Sequence, residues 1–469
     1  MIAFTLINLL INANINTVWA WGYGGDGQLG NSYSQIQIIP VKTSNITDLI
    51  AVSAGAWHSL ALKSGGTVWA WGDNIRGELG DNSIIDRNAP VQTINLTGII
   101  AIAAGSKHSI ALKSNGTVWT WGRNDIGQLG DSSNIQRNAP VQVKNLTGII
   151  TIAGGWSHSL ASKSDGTVWG WGLNDMGQLG DTSICQTNIP VPVENIDSVI
   201  LVAAGGKHSL ALKSDSTVWA WGDNDFGQLG DNSTIQSDTP VQVKNLSGIL
   251  TVAGGYYHSL ALKSDGTVWA WGDNTFGQLG DNSTTQSDTP IQVQNVIGVI
   301  AIAGGYGHSL AVESDNTVWA WGRNDMGQLG DNSTINHITP VQTQNMDGAI
   351  AIAGGYGHSI VLVNPVLGIE TEKTELTEFN ITPSIIKSGS NFTIKYTIPD
   401  ISEKSPVSIT IYNILGQQVR KLVDKQLFSG NGVTTWNGHN EENRLVNPGV
   451  YFCVLQANIR KVNKILILN

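Results

Sequence analysis

The sequence predicts an all-β protein: a seven-bladed β-propeller with two-ended closure, followed by a small C-terminal Ig-like β-sandwich. Three observations support this prediction. The phrase Thr-Val-Trp-x-Trp-Gly occurs seven times at intervals of fifty residues, first at Thr17 and last at Thr317. Between the copies, short runs rich in β-branched and aromatic residues alternate with Gly, Asn, Asp and Ser clusters, which is typical of strands and turns. From about Leu367 the repeat stops and strand patterns follow at shorter spacing.

Each fifty-residue unit contains four predicted strands. In the third complete copy the first strand is Ile-Ile-Thr-Ile-Ala and the second begins at His158. The third is Thr-Val-Trp-Gly-Trp-Gly, and the fourth is Pro-Val-Pro-Val after a long polar loop. The pair Asp165-Gly166, between the second and third strands, is a hairpin signal. Four antiparallel strands repeated around an axis form the blades of a propeller.

The two ends of the repeat complement each other. Residues 48 to 343 hold six complete units, and the strand pair Thr17–Gly22 and Pro40–Lys42 lacks a first and a second strand. Residues 348 to 363 supply that missing pair. A seventh blade assembled from both ends would close the ring and remove exposed strand edges.

The repeats, with His-Ser-Leu-Ala-Leu, Val-Trp-Ala-Trp-Gly and Gly-Gln-Leu-Gly-Asp, resemble those of the regulator of chromosome condensation, a seven-bladed propeller. The eukaryotic founder of that family is a nucleotide exchange factor for a small GTPase and binds chromatin. Residues 1 to 366 carry 15 Lys and Arg against 27 Asp and Glu. An acidic propeller repels phosphate backbones, so the sequence disfavours nucleic-acid binding and GTPase exchange.

The tail carries a second resemblance, to C-terminal sorting domains of type IX secretion cargo and the Ig-like domain of the flagellar hook-capping protein. It rests on Ile411-Tyr-Asn-Ile-Leu-Gly-Gln, Thr435-Trp-Asn-Gly438, Pro448-Gly-Val-Tyr-Phe452 and Lys464-Ile-Leu-Ile-Leu468. The resemblance implies that the tail addresses the protein to outer-membrane secretion machinery. Its motif residues are Gly416, Trp436, Gly438, Gly449, Tyr451 and Lys464. An inert Ig-like stalk is the alternative.

Nothing in the sequence indicates catalysis. No Gly-x-Ser-x-Gly, P-loop or His-Glu-x-x-His motif occurs, and we expect no enzyme activity, no cofactor and no metal. The seven repeated histidines, from His58 to His358, each precede Ser at a strand start, where a structural hydrogen bond explains them better than a metal site. Cys185 and Cys453 lie in different predicted domains and imply no disulfide framework.

Two loops of each blade vary between copies and lie on the same end of the disc. Trp, Tyr, Phe and Arg on a rigid frame have the composition of a binding hot spot, while the alternative is that the aromatic rings only shield the central channel. The candidate binding residues are Tyr23, Trp57, Arg76, Lys107, Arg123, Trp156, Lys207, Phe226, Tyr256, Tyr257, Phe276, Tyr306, Arg323 and Tyr356.

The sequence therefore predicts four segments: a remnant signal segment at residues 1–16, the propeller at 17–366, a linker at 367–378 and the Ig-like domain at 379–469. We expect an exported bacterial protein, secreted or on the outer-membrane surface. Its monomeric propeller would bind a protein or glycan, without nucleic acid and without a membrane span. The alternatives are a propeller-based lectin or lyase-like enzyme and a regulator similar to a guanine nucleotide exchange factor.

Overall fold

The computed structural model describes residues 16–182, 185–364, 379–382, 385–387, 392–398, 405–413, 418–427, 430–446, 449–456 and 460–468. The predicted signal segment up to residue 15, the predicted linker and Gly416 lie outside these residues. The described part of the chain is all-β and contains no helix able to cross a bilayer. It divides into two compact units, one ending near residue 369 and the other formed by the later residues. The finer domain limits stay predictions.

Twenty-eight strands build the first unit. In chain order they are β1 Thr17–Gly22, β2 Gln37–Lys42, β3 Leu49–Ala54, β4 His58–Lys63, β5 Val68–Gly72, β6 Arg87–Gln92, β7 Ile99–Ala104, β8 His108–Lys113, β9 Val118–Gly122, β10 Arg137–Gln142, β11 Ile149–Gly154, β12 His158–Lys163, β13 Val168–Leu173, β14 Gln186–Pro192, β15 Val199–Ala204, β16 His208–Lys213, β17 Val218–Gly222, β18 Ser237–Gln242, β19 Ile249–Gly254, β20 His258–Lys263, β21 Val268–Gly272, β22 Ser287–Gln292, β23 Val299–Gly304, β24 His308–Glu313, β25 Val318–Gly322, β26 His337–Gln342, β27 Ala349–Gly354 and β28 His358–Val363.

These strands form repeated four-stranded antiparallel sheets, the arrangement of a propeller. Blade one is β3–β6, blade two β7–β10, blade three β11–β14, blade four β15–β18, blade five β19–β22 and blade six β23–β26. The remaining sheet has the order β2-β1-β28-β27 and joins both ends of the repeat, with Thr17 opposite Val363 and Gly22 opposite His358. We call it blade seven.

The core lies between adjacent blades. The second Trp of each Trp-x-Trp pair is fully buried, as are the Leu and Val side chains beside it. Trp71, for example, belongs to blade one but packs in one cluster with Val18 and Leu29 of blade seven. The Gly after each such Trp is required by the backbone: Gly72 has φ +105°, and a Cβ there would collide with the Trp57 carbonyl.

The second unit contains two sheets. Its strands are β29 Phe379–Thr382, β30 Ile385–Lys387, β31 Phe392–Ile398, β32 Ser405–Asn413, β33 Gln418–Leu427, β34 Gly430–Trp436, β35 Gly449–Gln456 and β36 Arg460–Leu468. One sheet has the order β29-β31-β34 and the other β30-β36-β35-β32-β33. Side chains from both sheets, including Ile394 and Ile411, share one buried cluster.

Candidate protein-binding site

Two loops of every blade meet at one end of the disc. The first residue of the loop between strands three and four donates its N–H to the residue that precedes the blade's histidine. Three examples are Asp73 to Trp57 at 2.9 Å, Arg123 to Lys107 at 2.8 Å and Tyr23 to Gly357 at 2.7 Å. We call this end, formed by the first-to-second and third-to-fourth loops, the loop face. All of the predicted binding residues lie on these loops.

Aromatic rings gather at the centre of the loop face. Ring centroids are 4.2 Å apart for Tyr306 and Tyr356, and 4.6 Å for Tyr256 and Tyr306. The ring centroid of Trp156 lies 4.8 Å from that of Tyr256 and 6.4 Å from that of Tyr356. These four side chains line the mouth of a narrow central cavity of about 90 Å³, whose wall is the Gly and Ala backbone at the ends of the innermost strands.

The ring contacts continue outward. Trp57 lies 4.6 Å from Tyr356 and 5.3 Å from Tyr23, while Tyr257 lies 4.3 Å from Tyr256 and 4.9 Å from Phe226. The aromatic cluster is therefore Tyr23, Trp57, Trp156, Phe226, Tyr256, Tyr257, Tyr306 and Tyr356. Every member is half-buried, so the rings cover the channel mouth and also present apolar surface to solvent.

Arg323 extends this cluster. Its guanidinium lies 5.4 Å from the Phe276 ring centre and 5.5 Å from the rings of Tyr306 and Tyr356, within cation–π range. The same guanidinium pairs with Asp325 at 2.7 Å. Burial raises the pKa of Tyr306, with a further contribution from Tyr356, so the Tyr306 phenol stays neutral at physiological pH.

Three of the other four predicted basic residues pair with Asp. Lys107 pairs with Asp73 at 3.4 Å, Lys207 with Asp175 at 2.6 Å, and Arg123 with Asp125 at 2.7 Å. Arg76 is exposed, and its backbone N–H donates to Glu78. The loop face thus carries both aromatic rings and paired charges.

The repeated histidines hold adjacent blades together. His58 Nε2 lies 3.0 Å from Ser109 Oγ of the next blade, and Ser109 Oγ donates its single proton to the Glu78 carbonyl at 2.8 Å. The histidine must therefore carry its proton on Nε2 and donate it to the serine. Trp121 Nε1 donates to the same carbonyl at 2.7 Å. The same contact joins blade seven to blade one, where His358 contacts Ser59.

This contact gives the histidines a structural role. Each ring is fully buried, and burial lowers the pKa of His58 to about 3. Within the described residues no group of three or more His, Cys, Asp or Glu side chains is placed to hold a metal ion.

Sequence reasoning missed a group of acidic side chains. Glu78 and Asp73 are buried, and Asp26 of blade seven is close enough to Asp73 for their charges to interact. Burial, then the nearby Asp73 charge, raises the pKa of Glu78 to about 8. The signal was present in the alignment of the repeats, because six copies carry Gln where this one carries Glu.

The motif residues of the tail serve packing and turns in the second unit. Trp436 is buried, donates to the His439 carbonyl at 2.7 Å and stacks edge-on against Tyr451. Gly438 has φ +73° and Gly449 begins β35. Lys464 pairs in register with Phe452.

Comparison with known proteins shows where this fold occurs. The model of the RCC1-like domain family matches residues 7–245 and 149–366. No curated protein sequence matches the chain. A similar solved structure is that of Prp20p of Saccharomyces cerevisiae, which is described with its binding to Gsp1p and histones. The identity is 24% and the TM-score 0.68, and the match covers 75% of this chain and 92% of that chain. Yeast RCC1 (Prp20) bound to Kap60 gives 24% identity, a TM-score of 0.68 and coverage of 74% and 89%. Human WBSCR16 gives 22% identity, a TM-score of 0.67 and coverage of 74% and 99%.

These findings correct three expectations. The prediction of an exported bacterial protein is wrong, as are the surface location and the outer-membrane secretion machinery as partner. The matching structures are yeast and human RCC1-like proteins, and Prp20p is described as binding Gsp1p and histones.

The reasons for the error are physical. Trp436 and Tyr451 are core residues of a small β unit, and such residues specify packing rather than destination. The net negative charge is a sum over the whole propeller, whereas binding of a charged partner depends on the charges at the surface it contacts. The family model spans most of the chain, and the fold and blade contacts agree with it. This chain belongs to the RCC1-like domain family.

Proposed function

We propose that this chain is a regulator of the nucleotide-exchange-factor type, whose loop face binds a small GTPase. The observation that carries the proposal is the asymmetry of the loop face. Blades five, six, seven and one contribute most of the aromatic cluster, although the strands beneath are nearly identical in all blades. Packing between blades does not require different side chains in copies of one loop, whereas recognition of an asymmetric partner does.

The chemistry of the cluster suits a protein partner. Its rings are half-buried and held by their neighbours, so little side-chain entropy is lost on binding. Trp, Tyr and Arg dominate binding energy at protein interfaces. Prp20p, which shares the propeller fold, is described as binding Gsp1p and histones, and this supports a protein partner for the present chain.

A nucleotide-release assay tests this function. A panel of small GTPases loaded with fluorescent GDP is mixed with the full chain, and release is followed with excess unlabelled nucleotide. We expect accelerated release from at least one GTPase, with no covalent change to either protein. Unchanged release across the whole panel, together with no binding of any nucleotide-free GTPase, would reject the function.

For the second unit we propose an Ig-like β-sandwich that acts as a folded appendage. Its two sheets share the core around Trp436 and Tyr451, which supports a sandwich. Removing residues 379–469 is expected to leave propeller melting and nucleotide release unchanged, because domains with separate cores fold independently. A large loss of either property would contradict the proposal.

A further inference from the structure

One of the seven loop-face turns differs from the others in a single buried residue. Blade one carries Glu78, and the other blades carry Gln28, Gln128, Gln178, Gln228, Gln278 and Gln328. In blade five Gln278 Oε1 accepts the Phe276 N–H at 2.9 Å, and Gln278 Nε2 donates to Asp273 Oδ2 at 2.8 Å. In blade five the Gln side chain thus ties its turn to the Asp that begins the loop, whereas Gln178 and Gln328 donate to the Asp three residues earlier.

Glu78 keeps only the first of these bonds. Its Oε2 accepts the Arg76 N–H at 2.8 Å, but the fully buried Oε1 has no hydrogen-bond partner. Asp73 stands at the position of Asp273 in the same loop sequence. Glu78 therefore adds a second carboxyl group to the loop that begins with Asp73, close enough for the two charges to interact. Two carboxylates in this arrangement need either a shared proton or a cation.

The surroundings are acidic. Asp73 raises the pKa of both Glu78 and Asp26, in each case after burial, and Asp86 adds to the shift of Asp26. The positive charge that lowers both pKa values is Lys107, whose Nζ lies 3.4 Å from Asp73 Oδ2. Close by, Arg87 is paired with Asp81, and Arg76 is exposed.

Two aromatic residues are joined to the loops that carry this acidic group. The Asp73 N–H donates to the Trp57 carbonyl, and the Trp57 ring packs against Tyr23, three residues before Asp26 in sequence. Carboxylates beside aromatic rings favour an ammonium or guanidinium ion, because both the charges and the ring faces attract cations.

We propose that Asp26, Asp73 and Glu78, with Trp57 and Tyr23, form a subsite for a basic side chain of the protein partner. The proposal rests on the proposed function, since it places the partner on the loop face. When the cation arrives at Asp73, the proton on the Glu78 carboxyl leaves for solvent and Glu78 becomes negatively charged. Binding through this subsite therefore tightens as pH rises from 7 towards 9.

Calorimetry with a hexa-arginine peptide and the full chain tests the subsite. Titrations at pH 7.0 in phosphate and in Tris, which differ in ionisation enthalpy, give the number of protons released. We expect release of at least half a proton by the wild type and none by Glu78→Gln, which restores the residue of the other six blades. Asp73→Asn is expected to weaken binding about 10-fold.

Asp273→Asn in blade five is the matched control, because Asp273 has the same loop position but a Gln partner. It should change neither the affinity nor the proton count. The proposal is overturned if the peptide does not bind, if Glu78→Gln releases as many protons as the wild type, or if the two Asp variants behave alike. Should Asp73→Asn fail to fold, the proton count of Glu78→Gln decides alone. The peptide assay contains no GTPase, so failed nucleotide release with normal peptide behaviour would reject only the proposed function.

Discussion

The buried histidines make the same contact between every pair of adjacent blades. Each histidine donates a hydrogen bond from Nε2–H to a serine of the next blade, and the serine hydroxyl donates a hydrogen bond to a backbone carbonyl. Gly155 shows how closely the ring is packed, because a Cβ there would overlap the His158 imidazole. A protonated ring could not be accommodated without burying an unpaired charge.

This burial predicts acid sensitivity. The pKa of His58 and His308 is lowered to about 3 and that of His158 to about 4, whereas an unfolded histidine titrates near 6.5. The stability that the neutral rings confer is complete above pH 6.5 and falls as pH drops towards 4. Each histidine lowers the free energy of unfolding by up to about 1.4 kcal/mol for each unit by which the pH falls. Urea unfolding at pH 7.5, 6.0 and 5.0 measures the slope.

Two variants separate this effect from general acid unfolding. His58→Gln should reduce the pH slope by about one proton. His337→Ser, which places the blade-four residue at a partly exposed site where His337 Nε2 lies 2.9 Å from Asp331, is the comparison variant. Identical slopes in all three proteins would show that the buried rings are not responsible.

The buried Glu78 carboxyl should give the opposite dependence of stability on pH. Its pKa is raised to about 8 in the folded protein from an ordinary value of 4.5, so folding is penalised increasingly as pH rises between these values. Glu78→Gln should therefore stabilise the protein at pH 8 by at least about 1 kcal/mol, with little difference at pH 4.5. Equal unfolding free energies at pH 8 would mean that the carboxyl is not held protonated.

At the scale of the elements, the propeller depends on the pairing of β28 with β1. This pair connects the two ends of the repeat through six registered residues, from Thr17 opposite Val363 to Gly22 opposite His358. Because each blade packs only against its neighbours, loss of one blade's inner strands removes two interfaces at once.

Truncation tests this closure. A chain ending at Asp347 lacks β27 and β28, exposes the edge of β1, and should melt at least about 10 °C lower and less cooperatively than a chain ending at Asn364. Thermal unfolding followed by circular dichroism makes the comparison. Equally cooperative melting at the same temperature would contradict two-ended closure.

The strands of the propeller could be predicted because each blade repeats one pattern, so that β12 begins at His158 as the repeat indicates. In the tail, β29 and β30 are runs of four and three residues, which carry too little periodicity to be predicted as strands. The contact between Trp156 and Tyr356 was also beyond prediction. It depends on the width of the central channel, which brings together residues far apart in sequence.

At the scale of the whole molecule, fold and function had to be inferred separately. The repeats identified the family correctly, and the variable loops indicated the face on which the aromatic cluster lies. The tail pointed to secretion, which was wrong, because its shared residues stabilise a β fold, and a fold does not by itself fix function. Net charge was equally uninformative, since the basic side chains of the loop face are locally paired with Asp.

The central claim is that the aromatic cluster binds a partner rather than merely covering the channel. Trp57, Trp156 and Tyr256 are half-buried members of that cluster, whereas Ile100, Ile150 and Ile200 are exposed near the opposite end of the disc. Triple replacement by Ala in each set gives two matched variants of the full chain.

The deciding measurement is the affinity of both variants for the GTPase that responds in the release assay, taken together with their melting temperatures. We expect the aromatic variant to melt within a few degrees of the wild type and to bind at least ~10-fold more weakly, a loss of about 1.4 kcal/mol. The isoleucine variant should bind normally. Unfolding of the aromatic variant, or normal binding by it, would contradict the claim.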